Sequence, residues 1–301
     1  MPWIVLRCVG RCFLSNETTI GAQVRTFGAS DGYCLCYRHY APVGSAWVRV
    51  VCLHGIQSHS GWYDYSSRRL AAAGCDVYYL DRRGSGLNFA ARGDAPGMRR
   101  LLLDVAEFIG ARQAEVKLPV VVCACSWGGK LGAALCRFRP GIADGLVLIC
   151  PGFFPRVRPS LVQRLAIVAA SLLAPGRRFT IPLTDPALFT AVPRWQEYIA
   201  RDPLALHRAT ARFLRTSFLL DRDVRRVPRY VTVPTLLLLA GQDRIVHNDR
   251  TAQFVRSFAS ADTTIHVLPH AHHTLEFEPD PEVFIAVLLD WLRKRWASPV
   301  G

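Results

Sequence analysis

The segment "VVCACSWGGK", residues 121–130, runs from apolar, strand-like residues into a serine and then a glycine pair. Ser126 has a small residue two positions away on either side, Ala124 and Gly128. A sharp strand-to-helix turn presents a serine hydroxyl at the top of a sheet, and this strained turn tolerates only small neighbours. The pattern makes Ser126 a candidate nucleophile, with an ordinary turn serine as the alternative interpretation.

A serine nucleophile needs a base that takes its proton and an acid that orients the base. In the architecture that has this turn, the acid follows the serine and the histidine follows the acid. Asp243 comes directly after an apolar run at residues 234–241. The next apolar run ends in three histidines, His270, His272 and His273. Both loops have the required order, although a turn aspartate and a solvated histidine cluster are the alternatives, and the residues alone do not choose among the histidines.

An oxyanion that develops on the substrate needs two N–H donors. "VVCLHGIQSHSGWY" leaves an earlier apolar run through Gly55, which allows a tight turn, so that the N–H of Ile56 can face the serine. The second donor is the N–H of the residue after the nucleophile, here Trp127. We expect Ile56 and Trp127 to form an oxyanion hole.

The remaining sequence must provide the elements that bring these loops together. Short apolar runs, each about the length of a buried strand, occur at 47–55, 75–81, 119–126, 145–152, 234–241 and 263–270. Helical patterns separate them at 64–74, 98–113, 128–138 and 281–296. Near-continuous apolar runs indicate strands that are covered on both faces. The alternation predicts an α/β protein with a mostly parallel, doubly wound sheet, and 32–40 predicts a further strand in an edge hairpin.

The alternation stops between residues 152 and 232, where eight prolines and mostly helical patterns occur. We call residues 152–232 the insert and expect it to form a helical cap, or lid, over a core made of 21–151 and 233–301. Within the insert, residues 161–174 are apolar on most faces. We favour packing of this helix on the core and keep docking to a membrane surface as the alternative.

Residues 1–20 are predicted to be an N-terminal extension. Their apolar character suggests a signal peptide at first, but Arg7 and Arg11 interrupt the run that such a peptide needs. No stretch of 18 or more apolar residues exists in the chain, so no transmembrane helix is expected.

The chain carries a formal net charge of +14, and the insert alone holds 14 arginines, no lysine and five carboxylates. An anionic partner, such as a membrane surface or an acidic substrate, is one interpretation of this charge. A bias toward arginine codons is the other, and we favour it for the chain total. No nucleic-acid-binding motif accompanies the arginines, so a nucleic-acid partner is not expected.

Ten cysteines occur without a CxxC pair or a Cys/His cluster at zinc spacing. Several lie in apolar runs, where cysteine behaves as a small buried hydrophobe. We therefore expect a reducing, cytoplasmic compartment, with peripheral attachment to a membrane as the alternative. Neither a cofactor nor a metal ion is expected.

The segments "LHGIQSHSGWY", "DRRGSGLN", "CSWGGK", "LLAGQDRIV" and "AHHTLEFE" resemble the α/β-hydrolase superfamily in order and spacing. Within it they look most like the monoacylglycerol lipase and lysophospholipase group, over about residues 27–296. The resemblance implies an α/β-hydrolase fold with Ser126 as nucleophile and Asp243 as acid. It also implies that the amides of Ile56 and Trp127 form the oxyanion hole.

The same resemblance implies that His273 is the base. The group's loop has a small residue, any residue, histidine and then an acid three positions on, which matches Ala271, His272, His273 and Glu276. His272 is the second choice and His270 the third. Ala124 departs from the group, which commonly has glycine there.

Together these features predict a serine hydrolase that cleaves carboxylic esters of a small lipid-like molecule through an acyl-enzyme. Monoacylglycerol and lysophospholipid are the leading substrates, with the acyl chain in an apolar tunnel under the lid. The alternatives are another activity of the same triad, such as an aminopeptidase or acyltransferase, and a non-catalytic ligand-binding relative. An aminopeptidase needs carboxylates for the substrate amine, for which Glu197 and Asp202 are the nearest candidates. Oligomeric state, head group and acyl length stay open.

Overall fold

The central feature of the fold is a twisted sheet. A computed structural model describes residues 21–297, so the extension predicted for residues 1–20 lies outside the described residues. The strands in the described part are, in chain order, β1 (Gln23–Gly28), β2 (Cys34–Tyr40), β3 (Val48–Leu53), β4 (Cys75–Leu80), β5 (Val120–Cys125), β6 (Gly145–Ile149), β7 (Arg178–Thr180), β8 (Arg208–Thr210), β9 (Thr235–Ala240) and β10 (Thr263–Leu268). Eight of them form one sheet in the order β1-β2-β4-β3-β5-β6-β9-β10.

The sheet is parallel from β4 to β10, and β1 and β2 are antiparallel at one edge. Every residue of β3, β4, β5, β6 and β9 is buried, because helices cover both faces. The predicted α/β fold class is confirmed. Two details differ from what the sequence predicts. The edge hairpin pairs β2 with β1, a strand that was not predicted and that is exposed along most of its length. The strand β10, predicted to be covered on both faces, is a largely exposed edge strand.

Helices complete the fold. Their bounds are α1 (Asp64–Ala72), α2 (Met98–Glu115), α3 (Trp127–Phe138), α4 (Leu161–Leu173), α5 (Pro193–Arg201), α6 (Ala211–Val224), α7 (Asn248–Arg256) and α8 (Glu282–Trp296). One apolar layer joins the sheet to α2, α3 and α7, and the second joins its other face to α1 and α8. Because the carboxyl ends of parallel strands meet at one edge, the loops after β3, β5, β9 and β10 come together.

The insert contains α4, α5 and α6 together with an antiparallel ribbon of β7 and β8, which the sequence analysis did not predict. Helix α6 packs on α3 of the core, and α4 packs on α6. The helix α4 itself has only Ile167 and Ala170 buried. Its exposed large apolar side chains are Leu161, Val162, Leu165, Val168, Leu172 and Leu173. The favoured expectation that this helix packs on the core is therefore wrong for most of its surface.

No helix between residues 21 and 297 combines the length and the hydropathy that crossing a membrane requires. The eight cysteines in this range are all free thiols, and six of them are buried. Cys125, beside Ser126, is one of the buried ones, and burial raises its pKa well above the ordinary value. It therefore behaves as a packing residue.

Candidate active site

The turn at Ser126 is strained. β5 ends at Cys125 and α3 begins at Trp127, and Ser126 between them has φ +51° and ψ −120°. A positive φ at a non-glycine residue costs on the order of 1–3 kcal/mol and persists only where the surroundings enforce it. Gly128 permits the close packing around this turn, because a Cβ at that position would lie 2.6 Å from the carbonyl oxygen of Leu53. The first turn of α3 therefore rests directly on the end of β3.

Ala124, the departure from the usual glycine, is fully buried in β5. Its methyl group is accommodated by Gly132 on α3, where an added Cβ would lie only 2.9 Å from the Cβ of Ala124. The methyl group that β5 gains is thus matched by a side chain that α3 lacks. The turn keeps its close strand–helix packing in spite of the substitution.

The side chains predicted as nucleophile, base and acid lie in one hydrogen-bonded row. Nε2 of His273 is 2.9 Å from Oγ of Ser126, and Nδ1 of His273 is 2.7 Å from Oδ2 of Asp243. The other carboxylate oxygen of Asp243 accepts the N–H groups of Ile245 and Val246, at 2.7 and 3.0 Å. Asp243 and His273 are buried, whereas Ser126 is partly exposed. This geometry allows His273 to accept a proton from Ser126.

The environment of Asp243 keeps its carboxylate ionised. Burial by itself raises the pKa of Asp243, but His273 and the two N–H donors outweigh burial and hold the pKa below its ordinary value. An ionised acid beside Nδ1 selects the tautomer of His273 that has its proton on Nδ1 and leaves Nε2 free to accept one. The site is thus arranged for general-base chemistry at Ser126.

The other two histidines of the cluster lie elsewhere. Nδ1 of His272 is 3.2 Å from Oε1 of Glu278, which also accepts the His272 N–H at 2.9 Å. His270 is exposed to solvent. Of the three histidines that the sequence offered, the structure brings His273 to Ser126.

The loop after β3 lies against the serine. Gly55 is so close that an added Cβ would be 3.3 Å from the Cβ of Ser126. The carbonyl oxygen of Gly55 accepts a hydrogen bond from Nη1 of Arg82 at 3.0 Å, and that of Ile56 accepts one from Nη2 at 3.0 Å. In a trans peptide the N–H points opposite to the carbonyl, so the N–H of Ile56 points away from Arg82. Trp127 begins α3, so its N–H has no acceptor within the helix.

Arg82 holds this loop from a buried position. Its guanidinium lies 4.8 Å from the centre of the Trp127 ring, and burial lowers its pKa to about 9. Asp81 beside it accepts the N–H of Ser60 at 2.7 Å and the N–H of Leu87 at 2.8 Å. Asp81 and Arg82 therefore brace the loops beneath the site.

A cavity of about 600 Å³ extends from Ser126, Ile56 and Trp127 to the insert. Its lining is mostly apolar and includes Phe153, Ile181, Leu183, Leu214, Phe218 and Ile245. Five arginines stand along the same lining, and one of them, Arg250, belongs to α7 rather than to the insert. This cluster could not be predicted from the sequence, because its members come from separate segments of the chain and show no periodicity.

Cys150, Asp243 and His273 form the one group of potential metal ligands found in the described part of the chain. The hydrogen bond between Asp243 and His273 already uses the facing carboxylate oxygen and ring nitrogen. The grouping is therefore explained without a metal ion.

The chain is similar to a known hydrolase family, to several proteins and to solved structures. The model of a hydrolase family described as "Serine aminopeptidase, S33" matches residues 45–280. The chain is 27% identical to a monoacylglycerol lipase of Mycolicibacterium smegmatis, over 89% of this chain and 95% of that protein. It is 30% identical to the uncharacterized protein YnbC of Escherichia coli over 82% of this chain, but it spans only 43% of YnbC. A solved soluble variant of the Saccharomyces cerevisiae monoglyceride lipase superposes with a TM-score of 0.81, covering 96% of this chain and 100% of that one, at 17% identity.

Proposed function

The chain belongs to this hydrolase family, whose members share the α/β-hydrolase fold, and we propose that it is a serine esterase that acts on lipid-like esters. The observation that carries the proposal is the hydrogen-bonded row of Asp243, His273 and Ser126 at the end of a mostly apolar cavity. The named lipases among the similar proteins support the same reaction class.

In the proposed reaction, Nε2 of His273 takes the hydroxyl proton of Ser126 while Oγ attacks the acyl carbonyl carbon. The N–H groups of Ile56 and Trp127 hold the resulting oxyanion. His273 then gives the proton to the leaving alcohol, and an ester between the acyl group and Ser126 remains. Water attacks this ester with His273 again as base, and the carboxylic acid leaves. Asp243 stabilises the imidazolium in both steps.

The cavity supports a substrate with a medium or long acyl chain, because its volume falls in the range of roughly 300–1,000 Å³ typical of small-molecule sites and its lining is mostly apolar. Monoacylglycerol and lysophospholipid are the proposed substrates. The insert, which forms one wall of this cavity, is the proposed cap.

An aminopeptidase is the competing activity within the family. It would need carboxylates in the cavity for the substrate amine. Glu197 is instead exposed and paired with Arg201, and Asp202 is buried against His59 and Trp62, at 2.8 and 2.6 Å. Neither lines the cavity, and Asp221, a carboxylate that does, is paired with Lys130 at 2.5 Å, so these contacts favour the esterase.

We also propose that the insert contacts anionic membranes peripherally. The exposed apolar face of α4 lies within a segment that has many more arginines than carboxylates. An apolar face flanked by arginine is suited to the boundary between acyl chains and anionic head groups.

The test of the esterase is labelling with a long-chain fluorophosphonate, followed by intact-protein mass and peptide mapping. We expect one adduct, on Ser126, that is lost in Ser126→Ala and in His273→Ala. The adduct should be retained in the control Ser257→Ala, which removes the hydroxyl group of a different, exposed serine. Labelled wild-type protein should no longer release fatty acid from monoacylglycerol. An adduct on another serine, or a folded protein that takes no label, would overturn the proposal.

A further inference from the structure

The cavity next to Ser126 has a strongly basic mouth. The five arginines along its lining are Arg158, Arg164, Arg222, Arg225 and Arg250. All five are exposed, whereas the apolar residues deeper in the cavity are largely buried. They come from the loop before α4, from α4, from the end of α6 and from α7, so only the tertiary structure gathers them.

Little negative charge balances these arginines. Asp221 is the one carboxylate in the cavity lining, and it lies 2.5 Å from Nζ of Lys130 in an ion pair. Within residues 21–297, none of the five arginines has a carboxylate within ion-pair distance. The mouth therefore keeps about five uncompensated positive charges around one opening. Repulsion among these charges raises the free energy of the protein without a ligand, and a bound anion relieves this repulsion.

Several of these guanidinium groups are held in place by the lining itself. Arg250 lies 4.7 Å from the centre of the Phe154 ring, and Arg164 lies 5.6 Å from that of Phe218. Nε of Arg158 donates to the carbonyl oxygen of Pro155 at 2.7 Å. Stacking covers the face of a guanidinium but leaves the N–H groups on its edge free, and this is the edge that binds phosphate or carboxylate oxygens in pairs.

The positive charge of arginines at this end of the cavity also affects the pKa of a nearby histidine. His247 precedes α7 and is partly exposed. Desolvation lowers its pKa first, and Arg156, Arg250 and Arg158 lower it further. Two of the five cavity arginines thus act on His247 together with Arg156, which lies outside the cavity lining.

We propose that the arginine mouth binds a phosphate group on the alcohol part of the ester, so that the preferred substrate is an anionic monoacyl phospholipid rather than neutral monoacylglycerol. This inference rests on the proposed esterase and selects between its two substrate classes. A choline head group fits less well, because Asp221, the one carboxylate among the described residues that line the cavity, is already paired with Lys130.

The test compares three soluble esters that share a decanoyl chain: decanoylglycerol phosphate, decanoylglycerol and decanoylglycerophosphocholine, each kept below its micelle concentration. We expect kcat/KM to be at least about tenfold higher for the phosphate ester than for decanoylglycerol at low salt, since one charge-assisted contact already accounts for roughly that factor. The preference should shrink as salt screens the exposed charges.

The double variant Arg225→Gln and Arg250→Gln should lose that preference through a fall of at least about tenfold in kcat/KM for the phosphate ester. The matched control, Arg139→Gln and Arg256→Gln, removes the same charge from exposed positions outside the cavity lining and should keep the preference. Equal losses in both double variants would show that net charge alone is responsible and would overturn the proposal. A loss seen only when phosphatidylglycerol vesicles are added would assign the arginines to a membrane surface and would overturn it as well.

A binding measurement separates this inference from the esterase proposal. In Ser126→Ala, dodecyl phosphate should bind at least about tenfold more tightly than dodecyl glycerol ether by calorimetry, and the cavity double variant should abolish the difference. Absence of hydrolysis of all three esters would overturn the esterase. Equal binding of the two amphiphiles would overturn the phosphate site, whatever the enzyme hydrolyses.

Discussion

Gly132→Ala tests whether the close packing between β5 and α3 supports the turn at Ser126. The added Cβ would lie 2.9 Å from the Cβ of Ala124 and 3.3 Å from Cγ1 of Val122. Overpacking of this kind costs about 1–3 kcal/mol, whereas alanine is favoured over glycine within a helix by about 1 kcal/mol. We expect the single variant to lose up to about 2 kcal/mol of unfolding free energy.

Ala124→Gly removes the opposing methyl group, so in that background Gly132→Ala should gain about 1 kcal/mol. The coupling between the two positions is then about 1–3 kcal/mol, and guanidinium denaturation of all four proteins measures it. Fluorophosphonate labelling of Ser126 should slow in the single variant and recover in the double one.

Gly110→Ala is the matched control, because an added Cβ at this α2 position meets nothing within 4 Å. It should stabilise the protein by about 1 kcal/mol and leave labelling unchanged. The reasoning is refuted if Gly132→Ala changes stability equally, within about 0.5 kcal/mol, with and without the methyl group of Ala124.

Three further predictions concern charge and exposure. Burial raises the pKa of Glu276 to about 7, so ionisation of Glu276 destabilises the folded state as the pH rises above the ordinary pKa of a glutamate. At pH 8, Glu276→Gln should therefore have a free energy of unfolding up to roughly 3 kcal/mol above that of wild type, seen as a higher unfolding temperature. The difference should vanish by about pH 4, where the carboxyl group is protonated in both states. Asp243→Asn should lower kcat about 10³–10⁴-fold while the protein stays folded, because the amide no longer selects the productive histidine tautomer; an esterase rate near wild type would contradict the assigned acid. Leu165→Glu with Leu172→Glu should weaken binding to phosphatidylglycerol vesicles at least about tenfold in a flotation assay without slowing a soluble ester, whereas Val283→Glu, on the exposed face of α8, should leave vesicle binding unchanged. Equal vesicle binding by wild type and by the α4 double variant would exclude α4 as the membrane contact.

The fold and the approximate place of the site could be predicted from the sequence for a physical reason. Buried parallel strands must be apolar on both faces, so they stand out as short continuous runs, and their carboxyl ends must meet at one edge of the sheet. The loops that carry Ser126, Asp243 and the histidines follow such runs, and chain order alone predicts that they converge. The edge strand β1 escaped notice because its residues are mostly exposed and so have no apolar signature.

Features that depend on direction and on distant partners could be read only from the tertiary structure. Which histidine contacts Ser126 depends on how the loop after β10 turns, since His272 and His273 are neighbours in the chain but point to different partners. The exposure of α4 could not be predicted, because an apolar helix has the same sequence pattern whether it packs on protein or docks on a membrane. The arginine mouth depends on packing of α7 beside the insert, and the tolerance of Ala124 depends on a glycine in the facing helix. The sequence by itself determined the strand and loop order that brings chemistry-bearing residues together, because each local pattern encodes its own burial. Tertiary packing decided which of those residues touch and what charge surrounds them, because contacts between separate segments leave no local pattern.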